Sequence, residues 1–485
     1  MVNSTLETKQ WQWLRKSLER NRETTYGKLY KFENITNTEE YQSTLPIITY
    51  ENIEPMIEQI ARGAEDMLFA GKAMAFEVTS GSSGGAKLIP YTSESFEDFQ
   101  RAILPWLQQT IEQYAINPQN AYWAITPINK RAEKTEGGIA IGVSDSQYLG
   151  IKSAEGIVPE WVVHLSTIEQ WRVATLYWLI RYEALELISI WSPSFLLLLL
   201  EGIDRDSEEL LSLLSLGGSI AEHKVSSDAE AHQRLSDYLI THDTQILWSQ
   251  LKLISLWQDG ASAPYALILQ RHFPSVAFQP KGLLSTECIV TTPDISGQAL
   301  LSDESGFYEF IDSQEQIHLA HQLNRDEVYE VVVTTSGGLY RYRTGDSVLC
   351  EGYKETKPIL KFLHRVGRVS DMVGEKLSEA FVMQALSTIA GFAMLVPHQE
   401  EKAYYSLVIE RGVDQDVEAL AIEERLYKNP QYRYARELGQ LGVLEVVKLH
   451  NPMDRYISYL LSQGKRIGDI KIPRLGLDDG WVESS

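Results

Sequence analysis

Residues 1–70 read as mainly helical, with breaks predicted around Pro46 and Pro55. A β-like apolar run, 73–79, then ends in a glycine/serine loop, and a short extended segment, 88–91, follows, with Pro90 in it. Thr92 or Ser93 is positioned to cap a helix reaching about Tyr114, with a kink expected at Pro105. An apolar stretch at 195–200 reads as a buried helix start, Ser192 its N-cap and Pro193 its first helical residue. Further on, LKLISLW (251–257) and SVAFQPKGLL (275–284) read as strands around a helix at roughly 262–272. YEVVVTT, Gly337-Gly338 and LYRYR predict a β-hairpin, and DISGQALLSDESG (294–306) predicts a loop. This alternation is an α/β signature with some antiparallel elements. A boundary is predicted near Asp371, between the strand PILKFLHRVGR and a helix whose apolar spacing falls on Phe381, Ala385 and Leu386.

Composition narrows the function. The 485 residues are 44% hydrophobic and 23% charged, enough apolar side chain for full cores and too much for wholesale disorder. The net charge is −22, which argues against nucleic acid and against an anionic membrane surface as partners. An anionic ligand must then be held by a locally built site. The two cysteines, Cys288 and Cys350, have no metal-ligand or disulfide spacing. The polar start MVNSTLETKQWQWLRKSLER has no apolar signal core, and the apolar stretch 195–200 is far below the ~20 residues a bilayer needs. The expectation is a cytoplasmic protein.

The chemistry concentrates in Thr79-Ser80-Gly81-Ser82-Ser83-Gly84-Gly85-Ala86-Lys87. Glycines let several backbone N–H groups turn toward one point, hydroxyls add donors, and Lys87 adds a positive charge; such a loop suits polyphosphate. A Walker A motif is excluded by Ala86 and Leu88 on either side of the lysine. Gly81-Ser82-Ser83-Gly84-Gly85 fits G-x-S-x-G, but a nucleophile elbow runs from strand into helix and this loop is followed by an extended segment. An ordinary surface turn is the bland alternative. Two further segments point the same way. Ser285, Thr286 and Glu287 are expected at a strand end, where a carboxylate beside hydroxyls suits magnesium; a solvated loop glutamate is the alternative. Asp346, after Gly345 at the end of GLYRYRTGD, is a ribose-hydroxyl acceptor or an ordinary turn aspartate.

In this order the segments resemble the adenylate-forming ANL superfamily, and within it the auxin-responsive Gretchen Hagen family of acyl acid amido synthetases. The phosphate loop of that family matches residues 79–87, its [ST][ST]E segment matches 285–287, and its GLYRYR-x-GD segment matches 338–346. A hinge pattern matches Phe362, Arg365, Glu375, Lys376 and Glu379, and K-x-P-R matches Lys471, Pro473 and Arg474. LKLISLWQDGAS resembles the family's substrate-lining strand and turn, which carries Gly260 and Ala261. The resemblance covers nearly the whole chain.

It implies an α/β fold: a large N-terminal domain, 1–370, with mixed sheets flanked by helices and a barrel-like β part, then a smaller mobile α+β domain, 371–485. It implies ATP and Mg2+ as cofactors, with a carboxylic acid and an amine, an amino acid, as substrates. Thr79, Ser80, Gly81, Ser82, Ser83, Gly84 and Lys87 would hold the β- and γ-phosphates. Ser285, Thr286 and Glu287 would sit by the α-phosphate, with Glu287 on the metal. Gly260, Ala261 and Leu283 would border the nucleotide. Asp346 would bind ribose, with Arg365 nearby at the hinge. Lys471 would neutralise charge on the α-phosphoryl oxygens. Trp191, Trp257, Tyr265 and Leu283 are candidates for the acyl pocket wall. Leu283 stands where many relatives stack an aromatic on adenine, and Ala86 replaces a proline often found before the loop lysine. The rival readings are an acyl-CoA ligase sharing the first step and a nucleotide-binding regulatory protein without turnover.

Overall fold

The structure, a computed structural model, describes residues 5–79, 87–124, 134–143, 148, 156–365, 367–400, 402–411, 419–465 and 467–482. The chain folds as mixed α/β and divides into two compact units. One comprises 1–115, 130–153 and 280–363; the other comprises 116–129, 154–279 and 364–485. No described helix is long and apolar enough to cross a membrane.

The first unit opens with the helices Leu6–Asn21, Thr25–Leu29, Thr38–Thr44 and Tyr50–Ala61. Thr5, Thr24 and Asn37 cap the first three through their side-chain oxygens. Pro46 falls between helices as expected, but Pro55 lies inside Tyr50–Ala61. A proline there removes one helical hydrogen bond; the buried stripe Ile53, Ile57 and Ile60 holds the helix against that loss. The strands Ala75–Thr79 and Lys87–Tyr91 pair antiparallel with Thr79 opposite Lys87, and Ala140–Ile141 joins parallel to the first. Thr92 then caps the helix Ser93–Tyr114, which continues through Pro105.

A seven-stranded sheet completes the unit, in the order Thr291–Pro293, Ala299–Leu301, Lys357–Arg365, Tyr342–Lys354, Val328–Thr334, Phe307–Ile311, Ile317–Leu319. Ala299–Leu301 lies in the stretch read as a loop; short polar runs hid a strand that pairs with Thr291–Pro293. The predicted hairpin is present, but its second strand begins at Tyr342, because Arg341 adopts φ +50°. At Gly338, φ +87°, an added Cβ would come within 2.6 Å of the Leu68 Cβ, so glycine is required.

Arg341 turns inward. Its guanidinium forks onto the Glu309 carboxylate at 2.9 and 3.0 Å and donates to the carbonyls of Gln42 and Leu45, each at 2.6 Å. Its backbone N–H donates to the Thr334 hydroxyl at 3.1 Å. The two charged side chains are 3% and 1% exposed. Four acceptor atoms surround the cation, so its desolvation is compensated.

The second unit is built on a sheet in the order Ala121–Trp123, Leu187–Ser189, Leu253–Leu256, Ala277–Pro280, with the first three strands parallel. Helices Ile168–Arg181, Pro193–Arg205 and Ala263–His272 supply much of its core, including Trp171, Phe195 and Leu269. Pro193 starts its helix as expected, but the Ser192 hydroxyl bonds Ser194 at 2.6 Å and makes no cap. The expected strand 275–284 is confined to Ala277–Pro280, because the chain turns at Gly282, φ +77°.

Within this unit the C-terminal elements form a three-stranded sheet, Ala393–His398, Tyr404–Glu410, Glu445–Leu449. One of its faces, with Met394, Val396 and Val408, shares a core with Tyr456, Ile470, Ile472 and the helix Pro193–Arg205. The predicted helix after Asp371 is only Glu379–Ala385, since Leu377–Ser378 pairs with Val369–Ser370 first.

At one edge of that shared core Arg205 pairs with Asp454. Burial pushes the neighbouring Glu201 carboxyl up to about 7, reinforced by the charges of Asp454 and Glu410 and opposed by Arg205. Burial and Asp454 also raise Glu410.

Two outcomes are expected. Arg341→Met, leaving Glu309 buried and unpaired, lowers unfolding free energy by about 3–5 kcal/mol, read from urea denaturation. Glu201 is protonated in the fold and ionised in the unfolded chain between its ordinary pKa and about 7. Stability is therefore full below that ordinary value and declines as pH rises through about 7. Urea midpoints measured from pH 5 to 8 should fall across that window, and Glu201→Gln should flatten the slope.

Candidate active site

In the first unit Thr79 pairs with Lys87 across two antiparallel strands; the connection between them, with Ser80, Gly81, Ser82, Ser83 and Gly84, lies outside the described residues. A strand on the far side is incompatible with the strand-to-helix elbow of a serine hydrolase. Lys87 emerges at the mouth of this connection, its Nζ 3.5 Å from Glu51 Oε1 and 5.1 Å above the Tyr50 ring. The Tyr50 hydroxyl accepts the Leu88 N–H at 3.0 Å, so ring and strand are fixed to each other. The Thr49 hydroxyl, with help from Lys87, holds the Glu51 carboxyl below the usual range.

Ser285, Thr286 and Glu287 do not close a parallel strand, as expected, but occupy a two-residue hairpin turn. Ser285 N–H donates to the Cys288 carbonyl at 2.9 Å, Cys288 N–H donates to Ser285 Oγ at 3.2 Å, and Leu284 bridges Ile289. The turn thus exhausts the Ser285 hydroxyl in its own closure and places Thr286 and Glu287 at the tip. Glu287 is mostly buried, 7% exposed. Leu283 is 6% exposed, its N–H held by the Thr291 hydroxyl at 2.8 Å.

Sequence reasoning missed the residue that ties these two segments together. The Tyr91 hydroxyl donates to the Thr286 carbonyl at 2.7 Å. Tyr91 ends the strand that leaves the loop, and its ring packs against Phe96 and Tyr148. Burial drives its hydroxyl far above the ordinary tyrosine range. Tyr148 in turn bonds both Tyr91 and Glu77, and Glu77 accepts the Val143 N–H at 2.6 Å. A tyrosine after Pro90 gave no sequence cue, because only the fold shows what faces it. A cleft of about 440 Å³, its open mouth included, lies here, lined by Tyr91, Asp98, Thr286, Glu287 and Ser336 among others. Burial raises the Asp98 carboxyl, against the Ser336 hydroxyl and Arg101, which bond it.

Asp346, read from sequence as the end of a turn, lies within the strand Tyr342–Lys354. Glu330 faces Ser347 and Val332 faces Arg343, so Thr344, Gly345 and Asp346 together oppose Val331. Gly345, φ +79°, makes this bulge possible. The Thr344 hydroxyl accepts the Asp346 N–H at 3.1 Å and donates to the Val331 carbonyl at 3.0 Å, fixing the displaced aspartate.

In the second unit, Trp191 and Trp257 follow the carboxyl ends of adjacent parallel strands, and Trp257 N–H donates to the Trp191 carbonyl at 3.1 Å. That is where open α/β sheets bind ligands. Gly260 and Ala261 form the next turn, Gly260–Ser262, with Gly260 at φ +59°. Tyr265 is buried in the helix behind it. Arg365 ends the strand Lys357–Arg365.

Lys471 lies in an extended segment between buried Ile470 and Ile472, with its Nζ 5.1 Å above the Trp257 ring. The segment is anchored by Arg474, 4% exposed, whose guanidinium donates to the carbonyls of Gly391 and Ala393 at 3.1 and 3.0 Å. Arg474 N–H donates to Glu379, whose carboxyl burial raises. Two hinge-pattern acids are therefore structural: Glu379 holds this segment, and Glu375, fully buried, accepts from Met372, Val373 and Tyr405.

Glu287 offers a carboxylate beside the Thr286 hydroxyl, oxygen donors of the kind that suit a hard divalent cation shared with phosphates. Among the described residues no cluster of three or more His, Cys, Asp and Glu side chains could hold a metal by itself.

The GH3 family N-terminal, central and C-terminal domain models match residues 2–278, 299–365 and 370–479. Indole-3-acetic acid-amido synthetase GH3.5 of Arabidopsis thaliana is 22% identical, over 98% of this chain and 89% of that protein. The 4-substituted benzoates-glutamate ligase GH3.12 of the same plant is 22% identical, over 90% and 87%. Among solved structures, the GH3.15 acyl acid amido synthetase in complex with 2,4-DB superposes with a TM-score of 0.85 at 19% identity, covering 99% of this chain and 93% of that one.

Tyr91→Phe removes the bond to the Thr286 carbonyl while keeping the ring. Hydrogen exchange at the Ser285 and Cys288 amides should accelerate, and global stability should fall by about 1 kcal/mol. Unchanged exchange at both amides would show that the turn holds itself.

Proposed function

The chain belongs to the GH3 family, and on that premise we propose that it activates a carboxylic acid with ATP and transfers the acyl group to the amine of an amino acid. The observation that carries this reading is the succession of the three family domain models along the chain, over residues 2–278, 299–365 and 370–479.

In the first step a carboxylate oxygen attacks the α-phosphorus of ATP. The bond to the bridging oxygen of the β-phosphate breaks, pyrophosphate leaves, and an acyl-adenylate remains. In the second step the neutral amine attacks the acyl carbon, the bond to AMP breaks, and the nitrogen loses a proton. Activation replaces a very poor leaving group, oxide, with AMP. Catalysis then consists of positioning and charge stabilisation.

The loop 79–87 cradles the β- and γ-phosphates through backbone N–H groups and the hydroxyls of Thr79, Ser80, Ser82 and Ser83, and Lys87 leaves Glu51 to meet them. Thr286 and Glu287 face the α-phosphate, and Glu287 holds Mg2+. When bound, that ion offsets phosphate charge. Asp346, displaced by its bulge, takes the ribose hydroxyls, with Arg365 beside them. Gly260 and Ala261 border the nucleotide through backbone, and Leu283 offers adenine a narrow aliphatic edge. Trp191 and Trp257 wall the acid. Lys471 stabilises charge on the α-phosphoryl oxygens.

Residues 371–485 act as the small domain. Gly367 and Gly374, at φ +109° and +99°, flank Asp371 and suit it as the point about which Lys471 withdraws before the amine enters.

The test is pyrophosphate–ATP exchange over benzoate, indole-3-acetate and octanoate, followed by AMP release with added amino acids or coenzyme A. Exchange with at least one acid, amine-dependent AMP release, and a loss of about 100-fold or more in Lys471→Ala are expected. Thiol-dependent release in place of amine dependence would make the protein an acyl-CoA ligase. No exchange with any acid would overturn the assignment.

A further inference from the structure

The lysine segment has a counterpart at the end of a parallel strand, Trp257. Lys471 is exposed on a strand of chain whose neighbours, Ile470 and Ile472, are buried in the common core. Arg474 fixes the backbone of that segment to the C-terminal sheet, so the position of the lysine Cα is set. The four torsions of its side chain are not set by this anchor. A lysine ammonium on a flexible stem loses substantial rotamer freedom when held in one place. The Trp257 ring supplies a hold: it lies 5.1 Å from Nζ, the residue is 8% exposed, and its backbone N–H donates to the Trp191 carbonyl. Attraction of an ammonium to an indole face is worth about 0.5–2 kcal/mol, depending on desolvation, without cancelling the positive charge.

We infer that Trp257 is a positioning residue for the adenylation step: its indole face holds Lys471 extended at the carboxyl end of the parallel strands until the α-phosphate takes the ammonium over. The contact exists only while residues 371–485 present Lys471 to this sheet, so it favours the first half-reaction and is broken for the second. The inference rests on the adenylating function proposed above.

The experiment compares Trp257→Leu, Trp257→Phe, Lys471→Ala and the double variant Trp257→Leu/Lys471→Ala. The acid is whichever of benzoate, indole-3-acetate and octanoate supports exchange in the unsubstituted protein. Exchange at saturating acid and ATP should fall about five-fold in Trp257→Leu, the equivalent of a cation–π contact of about 1 kcal/mol, and recover most of that in Trp257→Phe. Trp257→Leu should cost nothing further in the Lys471→Ala background. Amide formation from a synthetic acyl-adenylate should fall by less than exchange does. Urea midpoints within error of the parent verify folding, and Trp257→Phe carries the test if the leucine variant is unstable. Additive losses in the double variant, equal losses in both half-reactions, or a change confined to the KM for the acid would each overturn the positioning role. Absence of exchange in the unsubstituted protein would instead overturn the proposed function.

Discussion

Arg341 holds the first unit together. Its cation is buried, so it must be surrounded by acceptors, and those acceptors come from parts of the chain far apart in sequence. The carboxylate of Glu309 belongs to a sheet strand, the carbonyls of Gln42 and Leu45 end an N-terminal helix, and the Thr334 hydroxyl belongs to the preceding strand. Satisfying one guanidinium therefore determines where the N-terminal helices meet the seven-stranded sheet, and in which register the hairpin bearing Asp346 lies. A hydrophobic residue at the same place would fill the volume without imposing those directions. Within the motif GLYRYR, Arg341 is thus a structural residue: it fixes the turn that leads into the strand bearing Asp346.

Reading the sequence succeeded where function is written in local residue order. The strands on either side of residues 80–86, the helix Ala263–His272 and the hairpin around Gly337-Gly338 were legible because glycine, hydroxyl and β-branched residues constrain backbone directly. It failed where tertiary contacts decide. Thr286 and Glu287 were placed at a strand end, yet a bond between Ser285 and Cys288 folds them into a turn tip. Asp346 was read as a turn aspartate because Gly345 precedes it, while pairing with Val328–Thr334 keeps it in a strand as part of a bulge. Pro55 was expected to end a helix that burial of isoleucines sustains. Tyr91, which joins loop strand to acidic turn, left no trace in composition or period.

The same contrast separates the two hinge acids from the residues they resemble in function. Glu375 and Glu379 are buried carboxylates beside a segment expected to move, which in isolation suggests catalysis. Their partners are backbone N–H groups of Met372, Val373 and Arg474, so they fasten loops and do not exchange protons with a substrate.

A protein with 66 acidic against 44 basic residues faces a specific difficulty in binding a polyphosphate. Its lysines are surrounded by carboxylates, and a lysine paired with a carboxylate presents little net charge to a ligand. In the first unit Lys87 lies over Tyr50 and Lys281 over Trp106, and in the second Lys471 lies over Trp257. An aromatic face attracts a cation through its quadrupole and so localises the ammonium while leaving its monopole field intact. Lys87, which has both Tyr50 and the exposed Glu51, shows how weakly the carboxylate competes: a solvated ion pair at 3.5 Å is worth little and yields readily to a phosphate. Ring-held lysines let an acidic surface, useful for solubility, coexist with a site that draws anions.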